Sequence, residues 1–273
     1  MSSDPTQVGP AQVDPAEVHS PEVEPAKVKP PKIKRTKVKR TKVTRTKRDV
    51  AKVDAVVQAE HLGLVGPEGP VFTDVSLTVR PGRLTVLVGP GGSGRSSLLL
   101  ALTGRMRGCT GTLVAQGQPV RSRRDRRGLR RRSAVARLAT LALPEARLTV
   151  GESVAERALL DGVRRAAAEE AFAAAEDLLD VHLDRTTLVE RLTAYERTAL
   201  AVALARVRPA DLVVVDDLDT DLDLHEQRRF ADALVRLAAT GPAVLASTTE
   251  LTSVPTDAIP LLAAPVLAAP QES

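Results

Sequence analysis

The 273 residues suffice for one large domain or two small ones with real cores, and 43% hydrophobic with 27% charged residues is ordinary for a globular chain. Four aromatics (Phe72, Phe172, Tyr195, Phe230) and no Trp argue against recognition by base stacking, and one cysteine, Cys109, excludes a disulfide framework or a Cys-rich zinc site. The net charge of +5 is uneven: residues 1–53 hold 13 Lys or Arg against 6 acids, whereas residues 54–273 hold 26 against 28 and use only Arg.

Residues 1–53 form a degenerate five-residue repeat, Pro5-Thr-Gln-Val8, Pro10-Ala-Gln-Val13, Pro15-Ala-Glu-Val18, with Arg in the Pro position from Arg35 onward. A period of five fits neither helix nor strand, and one Val per repeat buries too little to offset backbone entropy, so disorder is expected. The basic stretch 27–52 is open to two readings, a solvated linker or an electrostatic attachment to nucleic acid or an anionic membrane surface. No apolar run reaches ~18 residues and the N-terminus lacks a signal-peptide pattern, so a cytoplasmic protein is expected.

From residue 54 the pattern turns α/β. Strand-like stretches around Ala55–Ala59 and Val71–Val79 precede the turn Pro81-Gly82, the short apolar run Leu84–Val88, a glycine cluster and a helix over Ser96–Thr103. Residues 121–137 carry nine Arg and one acid, Asp125, and read as a basic surface loop or a polyanion patch. Helical spacing runs from Val150 to Leu183 and from Thr193 to Val207. A buried strand Leu212–Val215, a helix Leu224–Ala239 and a strand Ala243–Ala246 follow, and 251–273 is expected to be irregular.

Gly89-Pro90-Gly91-Gly92-Ser93-Gly94-Arg95-Ser96-Ser97 lies between a predicted strand and helix, where glycines let successive amides face a phosphate. Gly89, Gly91 and Gly94 also satisfy a dinucleotide fingerprint, but no acid lies between Asp74 and Asp125 to hold a ribose, so that reading fails. The remaining pattern is a P-loop, with Arg95 in the lysine position and the Ser96 hydroxyl placed for Mg²⁺. Leu212–Val215 ends in Asp216-Asp217, the form of a strand delivering one carboxylate to Mg²⁺ and the next to an attacking water.

Between these two motifs the order of segments resembles the ATP-binding cassette of ABC transporters. Leu148-Thr-Val-Gly-Glu-Ser-Val154 is similar to the family's LTVxENV stretch, and Leu192-Thr193-Ala194-Tyr195-Glu196 falls where the LSGGQ signature belongs, followed by Ala201-Val-Ala-Leu-Ala205. Thr220-Asp-Leu-Asp223 matches the SALD loop, and Phe72 to Gly82 resembles the approach to the P-loop. The resemblance covers about residues 55–250. It implies a P-loop NTPase cassette with a RecA-like core, an antiparallel β subdomain and a helical subdomain at about 150–208. It also implies ATP and Mg²⁺ as cofactors, a membrane permease as partner, and a cassette homo- or heterodimer.

Five of the family's motifs are altered. Arg95 replaces lysine, Asp217 stands at the catalytic glutamate, and Ala194 and Tyr195 replace the signature glycines, where a Tyr ring obstructs the neighbouring cassette's nucleotide unless it points away. No Gln occurs between Gln118 and Gln227 to serve a Q-loop near Thr140, and Thr249 stands at the switch histidine. Weak or absent hydrolysis by this chain alone is expected. The alternative is an inactive cassette serving as nucleotide sensor or scaffold, tethered through 27–52 and 121–137.

Overall fold

The computed structural model describes residues 55–138, 143–250, 252 and 259–262. The repeat of residues 1–53 and the Q-loop position near Thr140 lie outside them. β1 (Val57–Gly66) and β2 (Gly69–Val79) form an antiparallel hairpin that extends well beyond the expected Ala55–Ala59. β3 (Leu84–Val88) and α1 (Arg95–Leu102) follow, then β4 (Thr110–Ala115) and β5 (Gln118–Pro119). The order β2-β1-β4-β5 completes an antiparallel sheet.

The arginine-rich segment is not a loop. Ser122 caps α2 (Arg123–Arg132) through a reciprocal capping box with Asp125, and the chain passes directly into β6 (Ser133–Arg137). Two further capping boxes start α3 (Val150–Asp161), from Thr149 and Glu152, and α5 (Ala194–Arg206), from Thr193 and Glu196. Between them lies α4 (Arg165–Leu179), whose buried Glu176 accepts hydrogen bonds from the Leu183 amide (2.8 Å) and the Arg185 guanidinium (2.9 and 2.6 Å). β7 (Leu212–Val215), α6 (Leu224–Ala239) and β8 (Ala243–Thr248) complete the expected strand–helix–strand. Within 251–273, expected to be irregular, β9 (Ile259–Leu262) pairs in parallel with β3.

The second sheet has the order β6-β7-β8-β3-β9, and all its pairings are parallel. Successive residues of its strands enter two different cores, as a sheet covered on both faces requires. Val86, Val213, Val215, Val244 and Ala246 pack with α4, α5 and α6. Leu87, Leu212, Val214 and Leu245 pack with α1 and the antiparallel sheet. The strands being parallel, the ends of β3, β7 and β8 emerge side by side, and the polar residues that follow them meet there.

Candidate functional site

The loop from Gly89 to Gly94 joins β3 to α1. Gly94 sits at φ 83°, and a Cβ there would run into the Val71 carbonyl of β2, so only glycine fits. A Cβ on Gly91 or Gly92 would meet nothing within 4 Å, so open space faces the loop. No side chain caps α1, which leaves its first amides available to an anion. Pro90 is exposed, Ser93 is buried with no partner for its hydroxyl among the described residues, and Ser96 and Ser97 are half-buried on the first helical turn. The Gly89 amide donates to the Thr248 carbonyl (3.3 Å), which ties the loop to the end of β8.

Beyond β7, Asp216 is 0% exposed. Its Oδ1 accepts from the Ser247 hydroxyl at 2.5 Å, and its Oδ2 has no partner among the described residues. Ser247 also accepts from the Asp217 amide (2.9 Å), so one β8 hydroxyl fixes both acids. Asp217 Oδ1 accepts from Arg95 Nη2 at 2.9 Å, and Arg95 is only 7% exposed, with Nη1 unpartnered. Burial raises the Asp217 carboxyl, neighbouring Asp216 adds to this, and Arg95 opposes both. The structure thus brings together Gly89–Ser97, Asp216 and Asp217, with Arg95 turned onto Asp217.

Thr249 joins the same cluster through another acid. Its amide (2.9 Å) and hydroxyl both donate to Asp219 Oδ2. Burial pushes Asp219 up, but those two hydrogen bonds, one from its own backbone and the Arg95 charge together hold the carboxyl below its usual range. Of the histidines, His61, His182 and His225 are exposed, as expected, and none hydrogen-bonds to this cluster.

The signature segment is built as a helix start. Thr193 caps α5, Leu192 is buried, and Ala194 and Glu196 occupy the first turn. Tyr195 points inward: it is 4% exposed, its ring meets Phe230 edge-on at 6.0 Å, and its hydroxyl donates to the Leu179 carbonyl (3.2 Å). The Arg229 guanidinium lies 4.5 Å over the same ring. The ring therefore does not stand in the way of an approaching cassette.

Three residues escaped the sequence reading. Ser247 and Asp219 carried only the weak signal of lying near an acidic run and a strand end. Arg137 ends the arginine-rich run 121–137, yet it is only 6% exposed at the end of β6. It donates to Thr198 Oγ1 (3.1 Å) and the Thr220 carbonyl (3.4 Å) and pairs with Asp221 (3.6 Å), so it ties α5 to the loop after β7. Arg137 also lines a cavity of about 380 Å³ with Asp217, Thr198 and Arg197.

A family model described as ABC transporter matches residues 72–219. A putative ABC transporter ATP-binding protein of Streptomyces coelicolor is 34% identical over 198 residues, which cover 67% of this chain and 65% of that relative. The hemin import ATP-binding protein of Rhodopseudomonas palustris is 31% identical over 71% of this chain and 74% of its own. The lipoprotein-releasing system ATP-binding protein of Bordetella pertussis is 33% identical over 66% and 80%. Among solved structures, cbiO1 from Clostridium perfringens, described as part of the ABC transporter complex cbiONQ, superimposes with a TM-score of 0.63. That match has 16% identity and covers 72% of this chain and 79% of that one.

Proposed function

The chain belongs to the ATP-binding cassettes of the ABC transporter family, and from that premise we propose that it binds Mg-ATP as the nucleotide-binding subunit of a transport system and hydrolyses it weakly or not at all on its own. The membrane-spanning part would be a separate permease; no helix among the described residues is long and apolar enough to cross a membrane. That arrangement agrees with the relatives named for hemin import and lipoprotein release. Dimerisation with a second cassette, identical or different, would place the start of α5 opposite a partner's nucleotide.

The residues present fit the ligand. Open space at Gly91 and Gly92 and the uncapped N-terminus of α1 suit a polyphosphate, and the orphaned Asp216 Oδ2 with the Ser96 hydroxyl suits Mg²⁺. Magnesium needs only one or two protein oxygens when phosphates and waters supply the rest. When bound, Mg-ATP would supply the phosphoanhydride bond and a metal to neutralise its charge.

The single observation that carries weak hydrolysis is the Arg95–Asp217 pair. The side chain in the lysine position neutralises the side chain in the base position. Asp217 can accept a proton only through what Arg95 leaves free, and it is one methylene shorter than glutamate, a difference near ~1 Å that can cost about 100-fold in rate. Thr249 gives its hydroxyl to Asp219 and so is not free for a γ-phosphate. The test is calorimetry of the full chain with Mg-ATP beside a phosphate-release assay. Saturable binding with background phosphate release is expected. No heat at millimolar ATP overturns the binding claim, and steady turnover overturns the claim of weak hydrolysis.

A further inference from the structure

We propose that α2 is a docking face for the phosphate backbone of a nucleic-acid duplex, at the end of the fold away from the nucleotide loop. Seven of the ten α2 residues are arginines, and they divide into two sets by what they touch. Arg126 donates to the Arg121 carbonyl, Arg130 to the Gly104 carbonyl (3.0 Å), and Arg132 to Gln116 and Asp211, so these three anchor the helix. Arg123, Arg124, Arg127 and Arg131 are exposed, with no side-chain hydrogen bond or ion pair among the described residues. At 100° per residue these four fall within about 100° of one another, opposite the buried Leu129. Arg123, Arg127 and Arg131 follow one another a turn apart, about 6 Å each.

Little in the surroundings offsets this charge. Asp125 is committed to the Arg121 and Ser122 amides, and Asp211 to Gln116 and Arg132. Arg105, beneath the helix, has its pKa lowered to about 10, by burial first and then by Arg130, Arg208 and Arg157.

The position excludes a role in holding ATP. α2 leads into the start of β6, its Arg132 carbonyl accepts from the Asp211 amide before β7, and Gly104 beneath it follows the last turn of α1. The P-loop and Asp216 lie at the other end of the strands, about 17 Å away for five residues. Ala55 lines a cavity with Gln116 and Asp211 at this same end.

A duplex fits better than a bilayer or a single strand. The only apolar side chain of α2 is Leu129, which is buried, so nothing on the helix can enter a membrane's hydrocarbon edge. Forked guanidinium groups suit phosphodiester oxygens, and the near-absence of aromatics removes the stacking that single-strand binding relies on. The contact therefore reads backbone charge and is indifferent to sequence.

The test uses the full chain and labelled duplex DNA and duplex RNA in fluorescence anisotropy across a salt series. For four phosphate contacts, log K falls with log salt at a slope of about −3.6, or roughly 150-fold between 50 and 200 mM. The combined Arg123→Gln, Arg124→Gln, Arg127→Gln and Arg131→Gln variant is expected to lose that much of the slope while keeping its melting temperature and Mg-ATP binding. The corresponding four-lysine variant, which retains the charge, is expected to keep the slope. An unchanged slope in the glutamine variant overturns the proposal, as does wild-type retention on phosphatidylserine vesicles without duplex binding.

Discussion

The Arg95–Asp217 pair sets a measurable condition on nucleotide binding. If Arg95 is withheld from the loop by Asp217, freeing the cation should tighten binding. Lysine at position 95 ends about one C–N bond (~1.3 Å) earlier than arginine, which stretches the 2.9 Å contact to about 4.2 Å, beyond hydrogen-bond range. The compact ammonium is then free for phosphate oxygens. A charged hydrogen bond contributes about 1.5–3 kcal/mol, so Arg95→Lys should lower Kd for Mg-ATP by roughly 10- to 100-fold. Asp217→Asn should tighten binding from the other side, and because both changes break one contact, the double variant should gain less than the sum. Calorimetric titration of all four proteins measures this cycle. Thermal melts run beside it, since Asp217→Asn leaves Arg95 buried without its partner and should lower Tm. Binding that weakens in Arg95→Lys and is unmoved in Asp217→Asn would refute the reasoning, because Arg95 would then already serve the phosphates while holding Asp217.

Combining Arg95→Lys with Asp217→Glu should raise phosphate release well above either single variant, since each alone leaves one reacting position misplaced; a colorimetric phosphate assay checks it. Tyr195→Phe should cost about 1 kcal/mol by orphaning the Leu179 carbonyl, and Tyr195→Gly about 4 kcal/mol through lost packing and helix propensity, both read in urea unfolding. Gly94→Ala should abolish Mg-ATP binding, because a Cβ at that positive φ collides with the Val71 carbonyl. Exposed His61 is raised above its usual value by its hydrogen bond and charge contact with Asp74 (2.5 Å). A raised histidine contributes stability that is complete below its unfolded value near 6.5 and lost as pH climbs through the folded one. Asp74→Asn should therefore bring the His61 titration, followed by NMR, back toward 6.5.

The fold was legible where local pattern and burial agree. Leu212–Val215 is an unbroken apolar run and Leu84–Val88 one interrupted only by Thr85, because both faces of the parallel sheet are covered, and their bounds are readable to the residue. α2 was not, because a helix with one apolar residue has no period to detect. Only the Ser122–Asp125 capping box announced it, and the arginines drew attention to charge instead. β6, written Ser-Ala-Val-Ala-Arg, is short and made of small residues, so the burial of Arg137 depends on neighbours that are distant in sequence.

The site divides along the same line. Motif spacing located the loop, the two acids and the altered positions, because those residues are fixed by strand ends that the sequence marks. What each altered side chain does depends on partners far along the chain: Arg95 finds Asp217 across 122 positions, and Thr249 finds Asp219 across 30. Tyr195 makes the point most sharply. In a family alignment of residue types it reads as an obstruction at a glycine position, yet α4 and α6 offer it Phe230, Arg229 and a carbonyl, and a buried aromatic with a satisfied hydroxyl is more stable there than one in solvent. With its ring turned inward, Tyr195 therefore leaves the space before the start of α5 unfilled.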